Sequence, residues 1–298
     1  MELLKWIESI RMPFLDFFFT QITRLGEELL LIVVVCLIFW CINKKVGYIL
    51  STVFFLSALF VQGLKIVFRI PRPWIVDPTL TTVGYSTTEA TGYSFPSGHT
   101  QTAAAYLFPM AEIFKQKWAK ASLITLAVLV AFSRMYLGVH KMSDVVVSLI
   151  ITYAISYFAV RFYLKEEDSR KRDLILSGFI ALCAVIVIIY VIILNHNQIT
   201  ETFQLRDSVL AAGSALGFAV GMYIERQYIS FSVKAQNIFM QVLKYVLGVG
   251  GLLGVKEGAR IIGNNLVADG IRYFLMIMWV TVVFPLIIKF FFTKKEVE

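Results

Sequence analysis

Charge is scarce in this chain. Asp, Glu, Lys and Arg make up 16% of its 298 residues, whereas soluble domains carry about 25%. With 58% hydrophobic residues and a mean hydropathy of +0.74, that shortage excludes an ordinary soluble globule. Cysteine is nearly absent, with Cys36, Cys41 and Cys183 the three present. All lie inside apolar runs without disulfide or metal-ligand spacing, so they read as buried free thiols. Histidine is equally rare, at three copies. The net charge of +8 is not gathered into a basic stripe on a polar segment, which argues against nucleic acid as a partner. Residues 1–26 lack the clean apolar core and small-residue cleavage site of a secretory signal. The sequence shows no internal repeat and no low-complexity tract.

What fills the chain instead is a series of apolar runs long enough to cross a bilayer. They predict an all-α integral membrane protein with about nine transmembrane helices, near 27–43, 46–68, 98–114, 121–138, 143–164, 174–194, 208–224, 237–255 and 267–291. Ahead of them, Leu3, Leu4, Ile7, Ile10, Phe14, Phe18 and Ile22 recur at helical spacing, with Lys5, Glu8, Arg11 and Arg24 elsewhere. That pattern predicts an amphipathic helix in the membrane interface, broken near Pro13, with a short first span as the alternative, against which Glu8, Arg11, Asp16 and Arg24 count. Lys44-Lys45, Lys115 to Lys120, Lys165 to Arg172, Arg226 with Lys234, and Lys294-Lys295 all fall on one side of nine spans. The excess of positive charge makes that side cytoplasmic, as in a bacterial plasma membrane, with the C-terminus inside. The charged stretch 165–173 divides the chain into a region 1–164 and a C-terminal extension 165–298 of about four spans. In the seventh span Gly213, Gly217 and Gly221 recur every four residues. This suits close helix packing, within the chain or in a homodimer. Glu225 and Arg226 read as an ion pair at the inner face.

Three polar clusters interrupt this background. Each lies at or near the end of an apolar run, and all three fall on the predicted outer side. In the first, Lys65 precedes Arg72, which Pro71 and Pro73 flank and hold outside a helix. Arg72 can fork onto two oxygens of a phosphate while Lys65 supplies a point charge. In the second, Pro96-Ser97-Gly98-His99 opens a helix. Ser97 suits the N-cap, Gly98 admits an anion close to the backbone, and free N–H groups point outward. His99 can give a proton to a leaving oxygen. In the third, Ser133-Arg134 is followed by His140 and Asp144, four residues apart and able to face each other. A carboxylate on one imidazole nitrogen fixes the tautomer and leaves the other nitrogen to react. Taken singly, the first cluster reads equally well as a snorkelling lysine with an edge arginine, whereas the second reads better as a helix cap and the third as a structural His–Asp pair. Two histidines and three cations on one membrane face are hard to explain as caps alone. The long loop 69–97, with Trp74, Tyr85 and Tyr93, suits an interfacial rim.

Together these residues resemble the type 2 phosphatidic acid phosphatase family, within the acid phosphatase/vanadium haloperoxidase-like superfamily. Its motif is Lys-(six)-Arg-Pro, Pro-Ser-Gly-His and Ser-Arg-(five)-His-(three)-Asp, and the match from Lys65 to Asp144 has no gap or substitution. The resemblance implies a helical core with no metal or other cofactor. It implies that His140 attacks phosphorus to form a phosphohistidine, that Asp144 holds His140, and that His99 protonates the leaving oxygen. Lys65, Arg72, Ser97, Gly98 and Arg134 would bind the phosphoryl group. The expected substrate is a phosphate monoester or diphosphate of a lipid, such as phosphatidate, phosphatidylglycerophosphate, a sphingoid phosphate or a polyprenyl diphosphate. A sugar phosphatase and a non-enzymatic lipid transporter or binding protein are the competing readings.

Overall fold

A computed structural model of the chain describes residues 1–84, 90, 92–165 and 169–292. Tyr85, expected at the rim, lies outside the described residues. The regular elements are helical. Two short helices, α1 (Glu2–Ser9) and α2 (Pro13–Thr23), come first. Among the described residues nine more follow: α3 (Glu28–Leu37), α4 (Lys44–Phe68), α5 (Gly98–Ile113), α6 (Lys117–Tyr136), α7 (Met142–Lys165), α8 (Arg170–His196), α9 (Thr202–Ile224), α10 (Ile238–Gly258) and α11 (Leu266–Met278).

The expected spans correspond one to one with α3–α11, but two of them are irregular. Among the described residues seven helices are long and apolar enough to cross a membrane unaided, or eight if the bent pair Pro13–Gly26 and Glu28–Ile42 is one span, fewer than the nine expected. The helix α5 has 16 residues, or about 24 Å at ~1.5 Å per residue, short of a full ~30 Å hydrocarbon core. The helix α3 continues as a wide turn to Ile42 and is bent by 51° from the Pro13–Gly26 segment. The wide turn lies at one end of the bundle, against Gly47, whereas the bend at residue 27 and the start of α5 meet at the other, where Gly26 lies against His99. There, α5 starts below the loops, and the bend brings residues 23–28 over it.

The amphipathic N-terminus is broken before Pro13, as its sequence predicts. Leu4 and Ile7 of α1 are buried, while Leu3 and Trp6 are exposed. Polar contacts tie this helix to the loop after α4. Lys5 pairs with Asp77 at 2.8 Å, and the Thr81 N–H donates to Glu8 at 2.9 Å. Arg11 Nη1 donates to the Thr81 carbonyl and Arg11 Nε to that of Tyr136, each at 2.9 Å.

The extension packs on the core through α9. Lipid gives apolar helices little reason to associate, so contact there depends on close approach. A Cβ on Gly213 would strike the Gly270 carbonyl, one on Gly217 would meet Phe274, and one on Gly221 would strike Thr281. The glycine stripe is therefore used inside the chain, against α11. On α8 one face is buried through Ile180, Ala184, Val187 and Val191. The other exposes Phe179, Leu182, Ile186 and Ile189, as a lipid-facing helix should. Glu225 and Arg226 do not pair with each other. Glu225 bonds Lys44 at 2.9 Å and Arg226 bonds Asp173 at 2.9 Å, because consecutive helical residues point about 100° apart.

Candidate active site

The three polar clusters converge at the end of the bundle where α4, α6 and α8 finish. The helix α4 stops at Phe68, and Arg69 takes a left-handed conformation at φ 50° while its N–H caps the Lys65 carbonyl at 2.9 Å. The chain then turns, so Arg72 approaches the site from a loop rather than as a continuation of the helix. A single helical turn, Pro73–Val76, follows. Three acceptors among the described residues hold Arg72. Its Nε donates to the Gly92 carbonyl at 3.1 Å, and its Nη1 donates to the Val139 carbonyl at 3.3 Å and to His140 Nε2 at 2.8 Å.

Ser97 caps α5, its Oγ accepting from the Thr100 N–H at 3.4 Å. A Cβ on Gly98 would lie 3.7 Å from Lys65 Nζ, so the start of this helix sits directly against the lysine. The second and third clusters are joined by backbone. The Ser97 N–H donates to the Asp144 carbonyl at 3.0 Å, and Ser148 Oγ donates to both the Ser97 and Asp144 carbonyls at 2.9 Å.

His140 stands in the turn before α7, and Asp144 lies in the first turn of that helix. His140 Nδ1 is 3.4 Å from Asp144 Oδ2. The same carboxylate oxygen accepts from Ser94 Oγ at 2.5 Å and from the Lys141 N–H at 2.9 Å. An Nδ1–H directed at Asp144 leaves the Nε2 lone pair facing Arg72. Burial, and then the Arg72 guanidinium, hold the His140 imidazole well below the ordinary histidine value, so it is neutral at neutral pH.

Lys65, Arg72, Gly98, His99, Arg134 and His140 line one cavity of about 380 Å³. Ser97 and Asp144 sit behind its wall, 0% and 1% exposed. Lys65, Arg72 and Arg134 are 5%, 4% and 0% exposed. Such a concentration of enclosed positive charge suits an anionic guest.

Several neighbours are not evident in the sequence. Thr23, at the end of α2, accepts from Arg134 Nη1 at 2.7 Å. Gly26 lies so close to α5 that a Cβ would sit 2.5 Å from the His99 carbonyl. Ser94 holds Asp144. Glu28 and Asp207 line the cavity within electrostatic reach of Lys65, and offset part of its positive potential. The Tyr93 and Thr200 hydroxyls are hydrogen-bonded, tying the 69–97 loop to the extension.

Residues 46–168 match the family described as the PAP2 superfamily, and residues 209–296 match the PAP2 superfamily phosphatase transmembrane extension. Over 165 residues the chain is 30% identical to an undecaprenyl-diphosphatase from Sulfolobus acidocaldarius, a match covering 54% of this chain and 76% of that protein. The chain belongs to the PAP2 superfamily. It is also 28% identical, over 245 residues, to a probable sphingosine-1-phosphate phosphatase from Dictyostelium discoideum. That match covers 74% of this PAP2 chain but 57% of the Dictyostelium protein, so the chain spans little more than half of that relative's length. Among solved structures it resembles a PAP2-type phosphatidylglycerolphosphate phosphatase from Bacillus subtilis, at 27% identity and a TM-score of 0.48, covering 56% of this chain and 85% of that one. Among the described residues of the PAP2 chain, no group of three or more His, Cys, Asp or Glu side chains is placed to hold a metal ion.

Proposed function

We propose that this protein is a membrane phosphatase that releases phosphate from a lipid phosphate or diphosphate through a phosphohistidine on His140. The observation that carries the reading is the placement of His140. Its Nδ1 faces Asp144, and its Nε2 faces a cavity that Lys65, Arg72, His99 and Arg134 also line.

The chemistry follows from that geometry. A phosphoryl group entering the cavity takes over the Arg72 donor that otherwise occupies Nε2. The freed lone pair attacks phosphorus, an N–P bond forms and the ester P–O bond breaks. His99, entering this step as imidazolium, gives a proton to the departing alkoxide and becomes neutral. It then takes a proton from water as that water attacks the phosphohistidine and releases inorganic phosphate. Asp144 accepts the Nδ1–H and balances the positive charge that the ring gains when Nε2 bonds to phosphorus. Lys65, Arg72, Arg134 and the Gly98 backbone stabilise charge on the phosphoryl oxygens, each such donor being worth roughly 10²–10³ in rate, while Ser97 caps the helix from behind the cavity wall. The relatives' names, sphingosine-1-phosphate phosphatase and undecaprenyl-diphosphatase, support a lipid substrate. The distribution of Lys and Arg supports a site at the outer face, with the C-terminus inside.

The test is phosphate release by protein in detergent with a chelator present, across lipid monophosphates, lipid diphosphates and glucose 6-phosphate. The expected result is release from lipid phosphates by the parent and none by His140→Ala. Equal release by correctly inserted His140→Ala would overturn the reading.

A further inference from the structure

The cavity does not end at the phosphate machinery. Its lining follows one face of α4 from Lys65 through Ala58 to Ser51, a depth of roughly 21 Å at about 1.5 Å per residue. That is more than half of a ~30 Å hydrocarbon core, so a slot entered from the membrane surface at Lys65 is deep enough to reach past the middle of a bilayer. A headgroup alone would have no use for that depth. Below Lys65 the lining is mainly apolar, and much of it comes from the extension. Ala211, Ser214 and Phe218 of α9 face it, as do Met276 and Val280 on the α11 side. Core and extension are joined along this wall by Phe55 and Phe218, whose stacked rings lie 4.9 Å apart. Close packing of α9 on α11 through Gly213, Gly217 and Gly221 separates the slot from the surrounding lipid on that side.

We infer that the C-terminal extension builds a binding slot for one hydrocarbon chain, and that the substrate is a single-chain long-chain lipid phosphate whose tail lies inside the protein. This rests on the phosphatase reading above, which places the phosphate at Lys65, Arg72 and Arg134. A volume of about 380 Å³ is near the lower end of the ~300–1,000 Å³ range for ligand pockets. It accommodates one chain rather than several. Ala211 and Ser214 are the specificity-determining positions. Ala211 lies about 6 Å below Asp207 along α9 and Ser214 about 10 Å below it, so a bulky side chain at either would block the slot at a different depth.

The experiment uses alkyl phosphates from butyl to octadecyl with the full chain in nanodiscs, comparing the parent with Ala211→Trp and Ser214→Trp. The readout is the shape of each kcat/KM profile against chain length. For the parent, kcat/KM rises with length by up to about fourfold per buried methylene. In Ala211→Trp the rise stops at short chains, and in Ser214→Trp it stops at longer ones. Profiles that run parallel to the parent's would overturn the slot. A second measurement does not need catalysis. Hexadecyl phosphate with a diazirine at its terminal carbon is photolysed on His140→Ala protein. Labelled peptides from α9 and α11 support the slot, whereas labels confined to lipid-facing α8 residues such as Phe179 and Ile186 refute it. Labelling of α9 and α11 without phosphate release by the parent would retain the slot and reject the phosphatase. Phosphate release with labels only on α8 would do the reverse.

Discussion

Arg72 Nη1 and His140 Nε2 lie 2.8 Å apart, so the guanidinium that would hold a phosphate also covers the nitrogen that would attack it. A charged guanidinium beside an imidazole opposes protonation of the ring. Together with burial, which is the larger cause, it keeps His140 neutral. Neutral histidine is the nucleophilic form. The acid limb of kcat/KM therefore falls below the ordinary histidine value near 6.5, and activity survives mild acid. In Arg72→Gln the rate falls roughly 10²–10³-fold, and the acid limb of what remains moves up towards 6.5. A pH profile of both proteins checks this. An unmoved limb would mean that Arg72 does not act on His140.

Ser94 is a positioning residue. Its hydroxyl donates to the Asp144 oxygen that faces His140, at 2.5 Å. A hydrogen bond to a charged group contributes about 1.5–3 kcal/mol, equivalent to roughly 10–100-fold in rate if it is felt in the transition state. Ser94→Ala should lower kcat by that range with KM little changed, and Ser94→Thr should recover most of the loss. A fall in KM affinity with kcat intact would place Ser94 in binding instead.

Much of this arrangement is legible in the sequence, for a physical reason. Charge in an apolar chain is expensive, so Lys65, Arg72, Arg134 and Asp144 stand out, and the helix cap at Ser97 is a local signal. Thr23, Ser94, Glu28 and Asp207 give no such signal. Their positions in the site come from tertiary approach across a bend at residue 27 and from a loop whose course is not periodic. The same limit explains Glu225 and Arg226. Adjacency in the chain suggests a pair, but helical geometry sends each to a different partner, Lys44 and Asp173. The short α5 shows how the site takes precedence over span length. Its first turn is occupied by Gly98 and His99, and it begins where the phosphate would sit.

Gly26 allows the N-terminal segment to rest on the His99 backbone. A Cβ there would lie 2.5 Å from the His99 carbonyl, closer than packed atoms allow. Gly26→Ala should destabilise the protein by about 1–3 kcal/mol and reduce kcat by displacing His99. Gly178→Ala is the matched control. Nothing lies within 4 Å of a Cβ there, so helix propensity alone should leave it neutral or slightly more stable, by up to about 1 kcal/mol. Thermal melts in detergent with parallel rate measurements distinguish the two.

The contact between α9 and α11 should be equally intolerant of added bulk. Gly213→Leu would drive a side chain into the Gly270 backbone and force the helices apart. The expected result is a lower melting temperature and faster proteolysis between α9 and α11. Leucine at Gly250, where nothing lies within 4 Å of a Cβ, should leave both unchanged.

The central claim is that phosphorus becomes bonded to His140. The most direct measurement is to mix the protein with a lipid phosphate carrying ³²P, quench in alkali to preserve phosphohistidine, and map the label by peptide analysis. The account predicts label on the peptide containing His140 in the parent, accumulation of that label in His99→Ala if breakdown becomes rate-limiting, and none in His140→Ala. Hydrolysis by the parent with no trapped label, or with label on His99, would contradict it.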